Sequence, residues 1–271
     1  MPKIIVHCLV RNEERFVWYS ITSVLPYVDK VMVWDTGSTD RTVEIIRLIK
    51  SPKIDFKEVG SVDVNTFTQV RQQMLDATPK DYDRLMLLDG DEIWPSFGIK
   101  TATDFCHSHP ESESLVVRSR NLVGDIYHCL PESAGKYHLA GHVGHLNLRF
   151  INLKKIPGLH AAKPHGQQGY FDSNDTLVQD LNPSFLDIYY HHATHLIRSS
   201  SFETPKRQQK LKSELGSKIL LKDQPEIFFI PHPNSVPDVT SSAPFSFWLK
   251  AALQTPPRRL KRTLFPPAHG Y

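Results

Sequence analysis

Four short apolar runs alternate with helical segments through residue 90, and this alternation constrains the fold more than any other feature of the chain. Residues 3–10 (KIIVHCLV), 31–34 (VMVW), 53–59 (KIDFKEV) and 84–88 (RLMLL) read as strands. Between them, Val17, Ile21, Val24 and Leu25 recur at helical spacing after a capping Asn12, and Pro26 ends the pattern. Residues 41–50 follow Asp40 as a plausible N-cap, and 67–77 form a third helical segment. Strands and helices in this order predict βαβ units with right-handed crossovers, hence an α/β fold with a mostly parallel sheet flanked by helices.

Composition removes other classes. With 40% hydrophobic and 23% charged residues, the 271-residue chain is an ordinary globular protein. No apolar stretch is long enough to span a membrane, and charge arrives too early in MPKIIVHCLVRNEE for a secretory signal. Cys8, Cys106 and Cys129 form no CxxC, which favours a reducing, cytoplasmic setting. A net charge of +3 gives no case for nucleic acid. The expected organisation is a catalytic domain over 1–224, with a nucleotide-binding half (1–95) and an acceptor-side half (96–224). A Pro-rich basic tail over 225–271 follows, extended except for a short helix at 245–253 that Pro256-Pro257 ends.

In an open parallel sheet, ligands bind beyond the carboxyl ends of the strands, where strand order switches. That rule selects the loops at Val10–Glu13, Asp35–Ser38, Gly60–Asp63 and Asp89–Glu92. Asp40 serves as a cap, which leaves Asp35 free for a ligand. Asp89-Gly90-Asp91 sets two carboxylates around a glycine directly after a buried strand. Unpaired, they raise each other's pKa, and a divalent cation resolves the conflict. This expectation requires both acids to lie at a cavity, free of lysine and arginine partners. Gly90 allows a sharp turn and a close approach. The chain has neither GxGxxG nor GxxxxGK[ST], so dinucleotide-cofactor and P-loop readings lack their motifs.

VRNEER (10–15), WDTGSTDRT (34–42) and LLDGDEIW (87–94), in that order, resemble a family 2-type glycosyltransferase of the GT-A fold. The interval from Asp35 to Asp89 is similar to the family's, and Phe67…Arg71-Gln72 looks like its Phe…Arg-Asn helix with Gln in place of Asn. The resemblance implies transfer of a sugar from a nucleotide-sugar donor, UDP- or GDP-linked, to a glycan, lipid-linked or protein acceptor with Mn2+ or Mg2+. By position, Val10, Arg11, Glu13, Asp35, Arg71, Asp89 and Gly90 would form the nucleotide site, and Asp89 and Asp91 would hold the metal. The usual Asp-Asp-Gly-Ser is here Asp35-Thr36-Gly37, so one carboxylate contact is missing. A sugar nucleotidyltransferase and a non-catalytic carbohydrate-binding relative are the rival readings; the former lacks its glycine-rich, arginine-bearing N-terminal loop.

Residues 114–118 and 146–151 read as strands and 204–215 as a helix. Nine of the 14 histidines fall between His128 and His195. The resemblance makes His192 or His195 the late metal ligand; their spacing puts both on one face if the segment is helical, whereas in a strand His191 and the next-but-one side chain share a face. The general base is open among Asp172, Asp175, Asp180, Asp187 and His165. Trp94 and Arg198 are candidates for the sugar or acceptor, Trp94 by stacking. Lys206, Arg207 and Lys210 form a basic helix side, and aromatics beside RRLKR (258–262) suit peripheral contact with an anionic membrane.

Overall fold

The computed structural model describes residues 2–164, 167–201 and 211–264. Strand β1 (Ile4–Val10) leads to helix α1 (Val17–Val24), then β2 (Lys30–Asp35), α2 (Thr42–Arg47), β3 (Ile54–Glu58), α3 (Phe67–Asp76) and β4 (Arg84–Asp89). A two-residue β5 (Glu92–Ile93) and α4 (Ser96–Ser108) precede β6 (Ser114–Val123) and β7 (Asp125–Cys129). Next come β8 (Tyr137–Leu139), β9 (His142–Gly144), β10 (Leu146–Asn152), β11 (His160–Ala162), β12 (Gly169–Phe171) and β13 (Pro183–His192). β14 (Ser217–Lys218) and α5 (Phe245–Leu264) complete the described elements.

The main sheet has the order β14-β7-β6-β10-β4-β1-β2-β3, with β13 beside β6 and β5 beside β13. β1 pairs in parallel with both β2 and β4, and β2 with β3. β10 is inserted antiparallel between β4 and β6. The chain thus builds outward from β1 to β3, then returns through α3 to lay β4 on the other side of β1. Strand order reverses there, and a crevice opens at the carboxyl ends of β1 and β4.

β1 is apolar along its length because helices cover both of its faces. Ile4, Val6, Cys8 and Val10 join one core with α1, α2 and α4. Ile5 points the other way, into a second core with Met32, Trp34, Val70 and Met74. Each such fully buried side chain contributes about 1.5–3 kcal/mol.

The α/β architecture and the first-half elements match the sequence reading; several boundaries differ. α1 starts at Val17 because Asn12 takes a left-handed backbone (φ 54°) and leaves the capping position. α4 and β13 arise in a part of the chain where periodicity is weak. The helix expected at 204–215 lies mostly outside the described residues, and 211–216 are not helical. α5 runs on through Pro256 and Pro257. Residues 252 and 253, whose carbonyls lose their helical donors to those prolines, lie on the exposed side, where water can serve them. The Pro-rich segment before α5 is not simply extended: Glu226–Phe229 form a 3-10 turn, and Phe228, Val236 and Val239 belong to the first core.

Candidate active site

The first two strand-end loops are fastened to each other by the VRNEER side chains. The Asn12 side-chain oxygen accepts the Thr39 amide at 2.7 Å, and the Asn12 amide donates to Ser38 Oγ at 2.9 Å. Glu14 accepts the Arg41 amide at 3.1 Å on one oxygen and the Ser200 amide at 2.5 Å on the other. Arg11 donates to the Val62 carbonyl at 3.0 Å, which adds the third loop. Val10 contributes its carbonyl, which accepts from both the amide and the hydroxyl of Thr36 at 2.9 Å. Asp35 is buried and folds back on its own loop, accepting the Ser38 amide at 3.0 Å, the Gly37 amide at 3.2 Å and the Ser38 hydroxyl. The expectation that Asp35 is free for a ligand is therefore corrected: it holds the turn. Asp40 stands one residue before the N-cap position, which Arg41 occupies, and accepts the Thr42 amide at 2.9 Å in the turn that leads into α2.

Gly90 brings the β4–β5 turn against the first loop. A Cβ there would lie 2.9 Å from Glu13 Cγ and 3.0 Å from Val10 Cγ1. This contact carries Asp91 inward, next to Glu13. Asp91 is buried, with Oδ2 2.6 Å from Arg198 Nη1 and 3.3 Å from His192 Nε2. The same Arg198 nitrogen is 2.9 Å from Glu13 Oε1. Burial presses the Asp91 carboxyl upward, but Arg198 and His192 outweigh it and hold it well below the usual carboxylate range. Burial likewise opposes charge on His192, and Asp91 reverses the balance, so the imidazole titrates above its ordinary value. The acid pair is thus not free of arginine, contrary to the sequence expectation.

Asp89 stays half-exposed at the mouth of a cavity of about 230 Å³. Arg71, Asn147, Arg149, Tyr170 and Gln179 also line it. Asp89 is 3.8 Å from Arg149 and 4.0 Å from Arg71. Arg149 is itself held by the buried Glu92 and by the Tyr190 hydroxyl at 2.8 Å. Burial drives the Glu92 carboxyl up while Arg149 pulls against it. Four carboxylates (Glu13, Asp89, Asp91, Glu92) therefore face three guanidinium groups (Arg71, Arg149, Arg198). With His192 held towards its charged form and Glu92 pushed towards its neutral form, the centre is close to charge balance.

β13 remains a strand through His192, which corrects the shared-helical-face arrangement of His192 and His195. Its end pairs with β5, and the Ala193 amide donates to the Asp91 carbonyl at 2.8 Å, which seats His192 at Asp91. His191 projects the other way, towards Phe228. His195 is buried in the following turn. Trp94 is 1% exposed and stacked on Tyr190 at 5.2 Å, so it is core and not a sugar platform. Arg198 sits in ion pairs with Asp91 and Glu13 and does not line the cavity.

Asp172 caps its own turn through the Asn174 and Thr176 amides, and Asp180 ends a short 3-10 turn; neither lines the cavity. Asp175 faces His160, and Asp187 pairs with Arg118. His165 lies outside the described residues, as do Lys206, Arg207 and Lys210. Sequence reasoning missed Arg149 and Glu92. A lone arginine inside the apolar run LNLRFI is the signal that would have found the pair, because a buried charge requires a partner.

No family model and no curated protein matches the chain. Among solved structures, it is similar to residues 1–349 of TarS from S. aureus, at 15% identity and a TM-score of 0.48 over 77% of this chain and 69% of that one. A longer TarS structure gives 18% identity and 0.48 over 77% and 42%. Glucosyl-3-phosphoglycerate synthase from Mycobacterium tuberculosis, solved with Mn2+ and UDP-glucose, gives 22% identity and 0.35 over 45% and 44%. The chain therefore spans less than half of the longer TarS chain and of the synthase.

Proposed function

We propose that this chain is a metal-dependent glycosyltransferase of the GT-A type, moving a sugar from a UDP- or GDP-sugar to a glycan, lipid-linked or protein acceptor in glycan or polysaccharide assembly. One observation carries the reading: at the switch between β1 and β4, an open carboxylate (Asp89) lines a cavity two residues from a buried one (Asp91), whose Oδ2 is shared by Arg198 and an imidazole (His192), so a cation would have to displace Arg198 from Asp91. No helix among the described residues is long and apolar enough to cross a membrane. The proposed setting is the cytoplasm, peripherally at the inner face of the membrane.

The donor set suits Mn2+ or Mg2+. Asp91 and His192 offer oxygen and nitrogen on adjacent elements, with His192 Nε2 directed at Asp91. No group of three or more ligating side chains gathers among those residues. Such a cation commonly takes one or two carboxylates and completes its shell with substrate phosphates. Asp91, His192 and Asp89 are the residues that would hold it; when bound, it supplies Lewis-acid stabilisation of the departing diphosphate.

The chain's own residues do the rest. Arg198 neutralises Asp91 and Glu13 before substrate arrives. Arg71 and Arg149 present positive charge beside Asp89 in a half-enclosed cavity, where it is worth more than in water. The welded loops fix the approach of the nucleotide, which keeps the reacting groups aligned. The sugar-acceptor side lies in the cavity between β4, β10 and β12, where Asn147, Gln179 and Tyr170 offer hydrogen bonds. The test is a panel of UDP- and GDP-sugars, each with Mn2+ or EDTA, read by release of nucleoside diphosphate. Release from at least one donor with Mn2+ alone supports the reading; no release from any donor, with or without added glycan acceptors, overturns it.

A further inference from the structure

Helix α5 shows two opposed faces. Its inner face docks on the body: Ala251 and Thr255 are buried, Trp248 meets His128 edge-on at 4.5 Å, and Phe247 packs where a Cβ on Gly124 would be only 2.5 Å away. The outer face carries Phe245, Leu249, Leu253, Leu260 and Leu264, all exposed, with Phe245 at 81% and Leu253 at 73%. At 3.6 residues per turn these five fall within an arc of roughly 100°. A continuous exposed apolar stripe of this kind marks an interaction surface.

Charge identifies the partner. Residues 245–264 contain Lys250, Arg258, Arg259, Lys261 and Arg262 and no acidic residue. Beside the stripe, Ser133 and Lys136 meet Arg259 and Arg262 around a cavity of about 610 Å³. Arg262 is balanced by the fully buried Glu214. Lys136 and Arg259 have no carboxylate partner among the described residues. An apolar stripe flanked by unpaired cations fits the boundary of an anionic bilayer, with leucines at the acyl level and cations at the phosphates.

We infer that α5 is an interfacial helix that seats the protein on an anionic lipid surface, with the Lys136–Arg259 cavity receiving a lipid phosphate. The inference rests on the proposed peripheral setting and deepens it by naming the surface and the lipid charge, and it is read without any activity. Flotation of the full chain with vesicles of phosphatidylcholine alone, or with about one-third phosphatidylglycerol, tests it. Binding to the anionic vesicles only, weakened by salt, is expected. Lys136→Gln/Arg259→Gln should lower partition about fivefold per charge removed. Leu253→Ser/Leu260→Ser should lower it at least tenfold, with unchanged melting because both leucines are exposed. Absence of binding to anionic vesicles, or equal partition of wild type and both variants, overturns the inference. Dimerisation that the leucine variant abolishes, without vesicle binding, also overturns it and gives the stripe to a second copy.

Discussion

Arg198→Ala offers a direct reading of how the acid cluster is held. One guanidinium nitrogen lies 2.6 Å from Asp91 and 2.9 Å from Glu13, and both carboxylates are buried. Truncation leaves two buried acids with His192 as their nearest cation. Removing one partner from a buried ion pair costs about 3–5 kcal/mol. For a chain of this size that corresponds to roughly 5–9 °C in melting temperature. Urea unfolding followed by circular dichroism measures the loss, with the slope m unchanged if the native state stays compact. Asp91→Asn in the same background should recover part of the loss, because it removes one of the stranded charges. Mn2+ should stabilise Arg198→Ala more than the wild type, since the bared acids bind a cation in the native state alone. A loss below about 1 kcal/mol, or strict additivity of the two substitutions, would refute the idea that Arg198 is the counter-charge of this cluster.

Burial holds His7 and His191 at about 3 and His145 at about 4, so all three are neutral when folded at pH 7. The unfolded chain takes up their protons near pH 6.5, so stability is full above that value and is lost as pH falls towards 4. Each contributes up to about 1.4 kcal/mol per pH unit. Unfolding free energies measured between pH 7 and 5 should fall accordingly, and His145→Asn should flatten the slope. Trp94→Ala should cost about 3–5 kcal/mol by emptying the core beside Tyr190 and leave nucleotide affinity unchanged, as titration calorimetry on the folded variant would show. Gly90→Ala should cost about 1–3 kcal/mol through the clash with Glu13 and Val10, and should weaken nucleotide binding by shifting the turn.

What could be read from the residues was local. Strands β1, β2 and β4 are apolar because they are buried on two faces, β3 alternates as a half-exposed edge strand, and α3 has a clean helical period, so their positions follow from pattern alone. The strand ends follow too, since Asp35 and Asp89 terminate apolar runs. Pairing across the chain was out of reach. Arg198 is far from Asp91 and Glu13 in sequence, and nothing in HLIRSS announces which acids it meets. The same holds for Arg149 and Glu92, joined only when β10 is inserted beside β4. Trp94 looked like a ligand platform because it follows the acids, yet its neighbour Tyr190 comes from β13. Asp35 looked free because Asp40 already served as the cap, whereas a short loop consumes both. The prolines of α5 disrupt a buried helix but not one whose affected carbonyls face water.

The central claim is that Asp91, with Asp89 and His192, holds a divalent cation on a nucleoside diphosphate. Titration calorimetry of UDP and GDP into the wild type and Asp91→Asn, each with Mn2+ and with EDTA, tests it most directly. One of the two nucleotides is expected to bind the wild type at least tenfold more tightly with Mn2+, and Asp91→Asn is expected to lose that gain while melting cooperatively. Equal affinity with Mn2+ and EDTA in the wild type, or an undiminished metal effect in Asp91→Asn, would contradict the claim.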